Sequence, residues 1–135
     1  MKKVVVIGGS GFIGSHTADE LSKLGYSVTI FDRRPSPWLR ADQNMIEGDI
    51  LDVDSLGLGL KNADIVYHFA GVSDINEASD RPLDAINLNI MGTASVLDAV
   101  SKLKVERFVY ASTMYVYSSY GSFYRATKQS AETLI

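Results

Sequence analysis

Short apolar runs alternate along this chain with longer segments in which apolar residues recur every three or four positions. The run Val4–Ile7 is rich in β-branched residues and ends at two glycines, which is typical of a buried strand in a parallel sheet. The segment Phe12–Leu24 follows with apolar residues at helical spacing, and Gly25 stops it. The chain therefore opens with a predicted strand followed by a helix.

The same alternation continues to the last residue. We predict further strands at Ser27–Phe31, Met45–Glu47, Ile65–Phe69 and Phe108–Ala111, and helices at Asp52–Leu60, Asp80–Glu106 and Ser122–Ile135. The segment Arg33–Gln43 holds two prolines and is predicted to be a loop. Strands and helices in alternation predict an α/β fold, a doubly wound parallel sheet of about five strands with helices on both faces. No repeat or linker divides the sequence, so we expect residues 1–135 to form one domain.

Composition narrows the classes of function. Hydrophobic residues make up 46% of the 135 positions and charged residues 21%, as in soluble globular proteins. The net charge of −3 favours neither nucleic acid nor a membrane as a partner. The absence of cysteine excludes disulfides and thiol chemistry, and neither histidine has metal-ligand spacing, so no metal is expected. No apolar stretch is long enough for a signal peptide or a membrane span, so we expect a cytoplasmic protein.

The first strand-to-helix turn, Gly8–Gly14, contains two overlapping glycine fingerprints, Gly-x-Gly-x-x-Gly and Gly-x-x-Gly-x-x-Gly. Glycine is needed there because a side chain would keep the backbone away from a pyrophosphate. The following helix offers free N–H groups and the positive end of its dipole. A strand before the loop and a helix after it are the context that this motif requires. We therefore predict a Rossmann dinucleotide site at Gly8, Gly11, Phe12, Ile13 and Gly14.

Asp32, at the end of the second strand, bears on which dinucleotide is bound. A carboxylate there accepts hydrogen bonds from the ribose hydroxyls and repels a 2′-phosphate, which favours NAD over NADP. Arg33 and Arg34 follow it. These arginines are either solvated charges or groups that neutralise a 2′-phosphate, so NADP remains the second choice.

Six motifs in order along the chain resemble those of the extended short-chain dehydrogenase/reductase superfamily, specifically its NAD-dependent nucleotide-sugar epimerase/dehydratase group. The motifs are Gly8–His16, Gly48–Ile50, His68–Gly71, Asn89–Thr93, Ser112–Tyr117 and Tyr124–Lys128. The resemblance implies an NAD-dependent epimerase or dehydrogenase that acts on a nucleotide sugar by reversible hydride transfer.

The resemblance also implies roles for individual residues. Cofactor contacts are expected from Asp49, Ile50, Phe69, Ala70, Gly71, Asn89, Ser112, Tyr124 and Lys128, and catalysis from Thr113, Tyr124 and Lys128. Arg33 is a further expected cofactor contact because it lies beside Asp32. Asp49 could instead be a turn former. Asn89 could equally be a satisfied polar residue on its helix.

The spacing of Tyr124 and Lys128 fits the roles that the resemblance gives them. Residues four apart share one face of a helix. A tyrosine hydroxyl is a weak base at neutral pH, and a neighbouring ammonium favours its ionised form. Thr113 would then hydrogen-bond the reacting hydroxyl of the substrate while Tyr124 moves the proton.

Two features limit the expected activity. The sugar dehydratases of this group carry an Asp-Glu pair after the catalytic threonine, whereas this chain has Met114 and Tyr115, which disfavours dehydration. Members of the group are about twice as long, and this sequence stops within the helix of Tyr124, so we expect a fragment or a naturally truncated protein. A cofactor-binding module without turnover and a non-enzymatic NAD-binding interaction protein remain alternatives. The resemblance also implies a homodimer formed through the segment Pro82–Leu103 and the helix of Tyr124.

Overall fold

The computed structural model describes residues 1–135, built around a five-stranded parallel sheet. The strands are Lys3–Ile7 (β1), Ser27–Asp32 (β2), Asn44–Glu47 (β3), Ile65–His68 (β4) and Arg107–Tyr110 (β5). The α-helices are Phe12–Lys23 (α1), Val53–Gly59 (α2), Ile75–Asp80 (α3), Pro82–Ile86 (α4), Gly92–Lys102 (α5) and Ser122–Leu134 (α6). The strand order is β3-β2-β1-β4-β5, and every neighbouring pair is parallel. The predicted doubly wound sheet is confirmed.

The central strand β1 supplies both faces of the sheet. Its side chains alternate, so that Val4 and Val6 pack in the core beneath α1, whereas Val5 and Ile7 pack in the core beneath α2 and α5. The connection from β1 crosses on one face to reach β2, and the chain returns to β4 on the other side of β1. The strand order therefore reverses at β1 and β4, which is where doubly wound sheets open a crevice for ligands.

The register of the sheet brings the ends of its strands level. Ile7 pairs with Phe31 on one side and with His68 on the other, and His68 pairs with Tyr110. Each of these residues lies at or next to the carboxyl end of its strand. The loops after β1, β2, β4 and β5 consequently leave the sheet at one edge.

The predicted helix Asp80–Glu106 is wrong in its boundaries and its continuity. Arg81 separates α3 from α4 with φ −130° and ψ 64°, because the residue before a proline is disfavoured in the helical region. A π-helical turn, Asn87–Met91, then joins α4 to α5. The sequence pattern did not predict α3, whose six residues are too few to show a helical period.

The carboxyl end of α5 also lies earlier than predicted. Lys104 has φ 55°, in the left-handed region, and the N–H of Val105 donates back to the Val100 carbonyl. This turn stops the helix at Lys102. Every other predicted strand and helix agrees with the structure to within one residue at each end. A short 3₁₀ turn, Met114–Tyr117, precedes α6, and no helix in the structure is both long and apolar enough to cross a bilayer.

Candidate functional site

A cleft of about 530 Å³ opens at the edge where the four loops leave the sheet. Most of the residues predicted to contact the cofactor line it: Gly8, Gly11, Phe12, Ile13, Gly14, Asp32, Arg33, Ile50, Phe69, Ala70, Gly71, Ser112, Tyr124 and Lys128. The glycine loop and the helix that carries Tyr124 lie more than a hundred residues apart in the sequence. The fold brings them into one cavity.

The glycine loop can only be built from glycine at its two ends. Gly8 has φ 80°, and a Cβ atom there would lie 2.6 Å from the Ala70 backbone nitrogen. A Cβ atom on Gly14 would overlap the Gly8 carbonyl oxygen and lie 2.8 Å from the Gly9 Cα atom. The loop therefore packs backbone against backbone, both on itself and on the end of β4.

The start of α1 is suited to an anion. Its N-cap is Gly11, which offers no side chain to the first turn, and the first turn has no acidic residue. The N–H groups of Phe12, Ile13 and Gly14 have no partner within the helix, because the first carbonyl of the helix serves Ser15. These free donors lie at the positive end of the helix dipole beside a loop in which only Ser10 carries a side chain, so they fit a pyrophosphate.

Asp32 lies between the glycine loop and the segment that follows β2. One carboxylate oxygen accepts from the Ser10 N–H at 3.1 Å, and the other accepts from the Arg34 N–H at 3.2 Å. Each carboxylate oxygen keeps a further lone pair that can accept from a hydroxyl. The Asp32 carboxylate is thus held in place by two backbone donors and can still receive the two hydroxyls of a ribose.

Tyr124 and Lys128 face the opposite end of the cleft from one side of α6. Both are buried, and the Lys128 Nζ atom donates to the Ala111 carbonyl at 3.0 Å. The same Nζ atom lies 4.8 Å from the ring centre of Tyr110 and 6.0 Å from that of Tyr124. An ammonium has three hydrogens to donate, so two remain for a ligand in the cleft.

Burial lowers the pKa of Lys128 to about 8. A cation in a poorly solvated site favours its neutral form, and here the aromatic rings and the Ala111 carbonyl supply only part of the lost hydration. At neutral pH the side chain is still mostly protonated. Lys128 therefore brings a positive charge next to the Tyr124 ring.

His68 is buried beside the cleft rather than within it. Its Nε2 atom lies 3.1 Å from the Thr93 Oγ1 atom, and its Nδ1 atom has no hydrogen-bond partner. Burial, and to a lesser extent the charge of Lys128, lowers the pKa of His68 to about 3. The imidazole is neutral at pH 7 and packs at the end of β4.

Three predicted residues do not line the cleft. The Asp49 carboxylate accepts from the Leu51 N–H at 2.9 Å, the geometry of a turn former. Thr113 accepts from the Tyr115 N–H at 3.3 Å and so caps the 3₁₀ turn. Asn89 is 2% exposed and lies beneath the cleft.

Every polar atom of the Asn89 side chain has a protein partner. Its oxygen accepts from the Val72 N–H at 2.8 Å, while its nitrogen donates to the Val72 carbonyl and to the Thr127 hydroxyl, both at 3.0 Å. The Thr127 hydroxyl in turn donates to the Tyr124 carbonyl. Asn89 thus joins the loop after β4 to the helix of Tyr124 and Lys128, which is the satisfied polar role weighed from the sequence.

The sequence analysis missed six residues of the cleft wall: Ile7, Phe31, Gly48, Ser73, Leu88 and Ala111. Ile7, Phe31 and Ala111 lie where a strand ends, so the rule that ligands bind at the carboxyl ends of parallel strands could have found them. Ser73 and Leu88 reach the cleft through the unpredicted path of the chain around α3 and α4, for which the sequence carries no signal.

Comparisons with known proteins agree with this geometry. The model of the NAD-dependent epimerase/dehydratase family matches residues 4–134. A UDP-N-acetyl-alpha-D-glucosaminuronate decarboxylase from Bacillus cytotoxicus is 34% identical over 122 residues, covering 86% of this chain and 38% of that protein. A UDP-glucose 4-epimerase from Klebsiella pneumoniae is 35% identical over 127 residues, covering 85% of this chain and 91% of that sequence.

Solved structures give the same result. MoeE5 in complex with UDP-glucose and NAD superposes with a TM-score of 0.89 at 32% identity, covering 98% of this chain and 47% of that one. UDP-glucose 4-epimerase from Brucella ovis in complex with NAD superposes with a TM-score of 0.91 at 29% identity, covering 99% and 46%. The chain thus spans just under half the length of each of these two structures. The match along residues 4–134 and the shared fold show that this chain belongs to the NAD-dependent epimerase/dehydratase family.

Proposed function

We propose that this chain binds NAD(H) and forms the cofactor-binding half of an enzyme that epimerises a UDP-sugar by reversible hydride transfer. One observation carries the proposal: a single cleft joins a glycine loop suited to a pyrophosphate with the buried pair Tyr124 and Lys128. A dinucleotide laid along it would have its adenosine end at Asp32 and its nicotinamide end at Tyr124.

The substrate class comes from the relatives. Several of them are UDP-glucose 4-epimerases, and MoeE5 was solved with UDP-glucose as well as NAD. Met114 and Tyr115 supply no carboxylate after Thr113, which supports epimerisation or oxidation over elimination of water. Epimerisation is the first choice because relatives from a mouse, an amoeba and two bacteria are all UDP-glucose 4-epimerases.

The residues at the inner end of the cleft provide for proton movement. NAD, when bound, supplies the hydride acceptor. The Tyr124 oxygen would take the proton from the sugar hydroxyl as the carbon is oxidised and return it when the sugar is reduced on its other face. Lys128 would stabilise the ionised tyrosine and hold a ribose with its two free N–H groups. Thr113 does not line the cleft, but its hydroxyl hydrogen is free, because its oxygen is the acceptor in the bond to Tyr115.

Cofactor binding can be measured with the one tryptophan of the chain. Trp38 is exposed in the loop that follows β2, the loop that begins with the cleft residue Arg33. Titration with NADH is expected to quench Trp38 emission and enhance NADH emission in a saturable way, and excess NAD should reverse both changes. If neither signal saturates, the proposal fails.

Turnover tests the second part of the proposal. With NAD present, the complete enzyme of which this chain forms the cofactor-binding half is expected to convert UDP-glucose to UDP-galactose, and its Tyr124→Phe variant, which lacks only the hydroxyl, is expected to bind NADH but not turn over. Tight binding of NADH without any turnover would favour the cofactor-binding module, since the chain spans only 38% of the decarboxylase and under half of the solved structures. If the chain binds no dinucleotide, it is neither part of such an enzyme nor a cofactor-binding module.

We also propose that the chain forms a homodimer through α4, α5 and α6. Leu83, Met91 and Phe123 are large apolar residues on or beside these helices, and each is more than two-fifths exposed. Covering such side chains with a second copy would remove apolar surface from water. Light scattering after gel filtration is expected to give twice the mass of the chain, and a monomer at micromolar concentration would contradict the proposal.

A further inference from the structure

Three hydrogen bonds close a ring between the glycine loop and the segment after β2. The Ser10 N–H and the Arg34 N–H donate to the two oxygens of Asp32, and the Ser10 hydroxyl donates to the Arg34 carbonyl at 2.7 Å. Ser10 itself does not line the cleft, whereas Asp32 does. Two side chains take part in this ring, those of Asp32 and Ser10. Asp32 is proposed to bind the cofactor, whereas the Ser10 hydroxyl contacts only the protein.

The ring holds two groups beside the proposed ribose site, the Asp32 carboxylate and the Arg34 backbone. The orientation of the Asp32 carboxylate depends on both of its backbone donors, and one of them belongs to Arg34. The backbone of Arg34 is held on both sides, at its N–H by Asp32 and at its carbonyl by Ser10. Without the serine hydroxyl, the Arg34 carbonyl would bond to water, and the Arg34 backbone would be held only through its N–H bond to Asp32.

The guanidinium groups of Arg33 and Arg34 connect this hydrogen-bonded ring with the choice between NAD and NADP. Arg33 and Arg34 are exposed, and neither forms an ion pair in the structure. Two free guanidinium groups could receive a 2′-phosphate if the segment were able to move toward the ribose. A segment held in place keeps the Asp32 carboxylate, rather than a guanidinium, directed at the 2′-hydroxyl.

We infer that the Ser10 hydroxyl is a positioning residue for cofactor specificity: it holds the segment Asp32–Arg34 in the form that accepts the free ribose of NAD(H) and disfavours NADP(H). The inference rests on the proposed function, since it concerns the same cleft. A group that is held in its binding geometry before the ligand arrives loses less conformational entropy on binding. This smaller entropy loss favours the binding of NADH, whose ribose hydroxyls would donate to Asp32. It does not favour NADPH, because the carboxylate repels the 2′-phosphate.

The test compares NADH and NADPH titrations of the unsubstituted chain with those of Ser10→Ala. The substitution removes one hydrogen bond of the ring, so the Kd for NADH is expected to rise by about fivefold. The Kd for NADPH should change less than the Kd for NADH, and the preference for NADH should narrow accordingly. Ser36→Ala is the matched control, because the Ser36 hydroxyl only accepts from Trp38 N–H within the same loop; it should leave the preference unchanged.

The outcomes separate this inference from the function on which it rests. If Ser10→Ala weakens both dinucleotides equally, or neither, the inference is overturned while NAD binding stands. If the unsubstituted chain binds neither dinucleotide, the proposed function and the inference fall together. Thermal unfolding without ligand shows whether Ser10→Ala is folded, and the ratio of the two Kd values reports specificity even if its stability is lowered.

Discussion

Replacing Gly14 with alanine is expected to weaken NADH binding by about 100-fold or more, which corresponds to about 3 kcal/mol of binding free energy. The new Cβ atom would overlap the Gly8 carbonyl oxygen and press on the Gly9 Cα atom. Both neighbours are backbone, which cannot move aside as a flexible side chain can. The start of α1 must therefore shift away from the loop, and its free N–H groups no longer converge on the pyrophosphate.

Gly57→Ala is the matched control for this substitution. Gly57 lies inside α2, and a Cβ atom there would meet nothing within 4 Å. Alanine is the better helix former by up to about 1 kcal/mol, so this variant should be slightly more stable and should bind NADH as before. NADH titration and thermal unfolding of both variants provide the measurement. If Gly14→Ala folds and binds NADH with unchanged affinity, the glycine loop is not the pyrophosphate site.

Asn89→Ala is expected to lower the free energy of unfolding by about 3 kcal/mol, because it leaves two buried backbone groups without partners. The Val72 N–H and carbonyl both bond the Asn89 side chain, and Val72 is only 4% exposed. The Thr127 hydroxyl loses its donor as well. Urea unfolding followed by circular dichroism measures the change.

Asn87→Ala controls for the loss of an asparagine from the same π-helical turn. Asn87 is exposed, and its side chain forms no hydrogen bond in the structure, so its replacement should change the unfolding free energy by less than about 0.5 kcal/mol. A loss below about 1 kcal/mol for Asn89→Ala would mean that water replaces the lost amide and that the bonds to Val72 are not needed.

The role of Asn89 could not be predicted from the sequence alone. The resemblance placed it among the cofactor contacts, and the residue type fits either a ligand contact or a buried clamp. The choice depends on which backbone groups face it, and those belong to Val72 and Thr127, far away in the sequence. No local pattern encodes that contact. Thr113 and Asp49 likewise have side chains engaged by their own turns, which the family motifs alone do not reveal.

The glycine loop and the strands were predictable for a physical reason. Buried parallel strands are rich in apolar residues on both faces, and glycines are forced where backbone packs on backbone. Both requirements produce patterns in consecutive residues, which can be recognised in the sequence. The helical segment from α3 to α5 leaves no such mark, because Pro82 divides it and the π-helical turn shifts its phase. A search for a regular period therefore merged α4 and α5 and overlooked α3.

The burial of β1 from Val4 to Ile7 has a consequence for how cofactor preference could change during evolution. Val4, Val6 and Ile7 are fully buried between β2 and β4, and the strand leads directly into the glycine loop. An insertion or deletion there would displace both cores together with the proposed pyrophosphate site. The loop between β2 and β3 leads to the edge strand of the sheet, and of its residues only Arg33 lines the cleft, at the proposed adenosine end. We therefore expect that related proteins can change their nucleotide preference by substitutions in that loop. The glycine loop, which would bind the pyrophosphate common to these nucleotides, would stay the same.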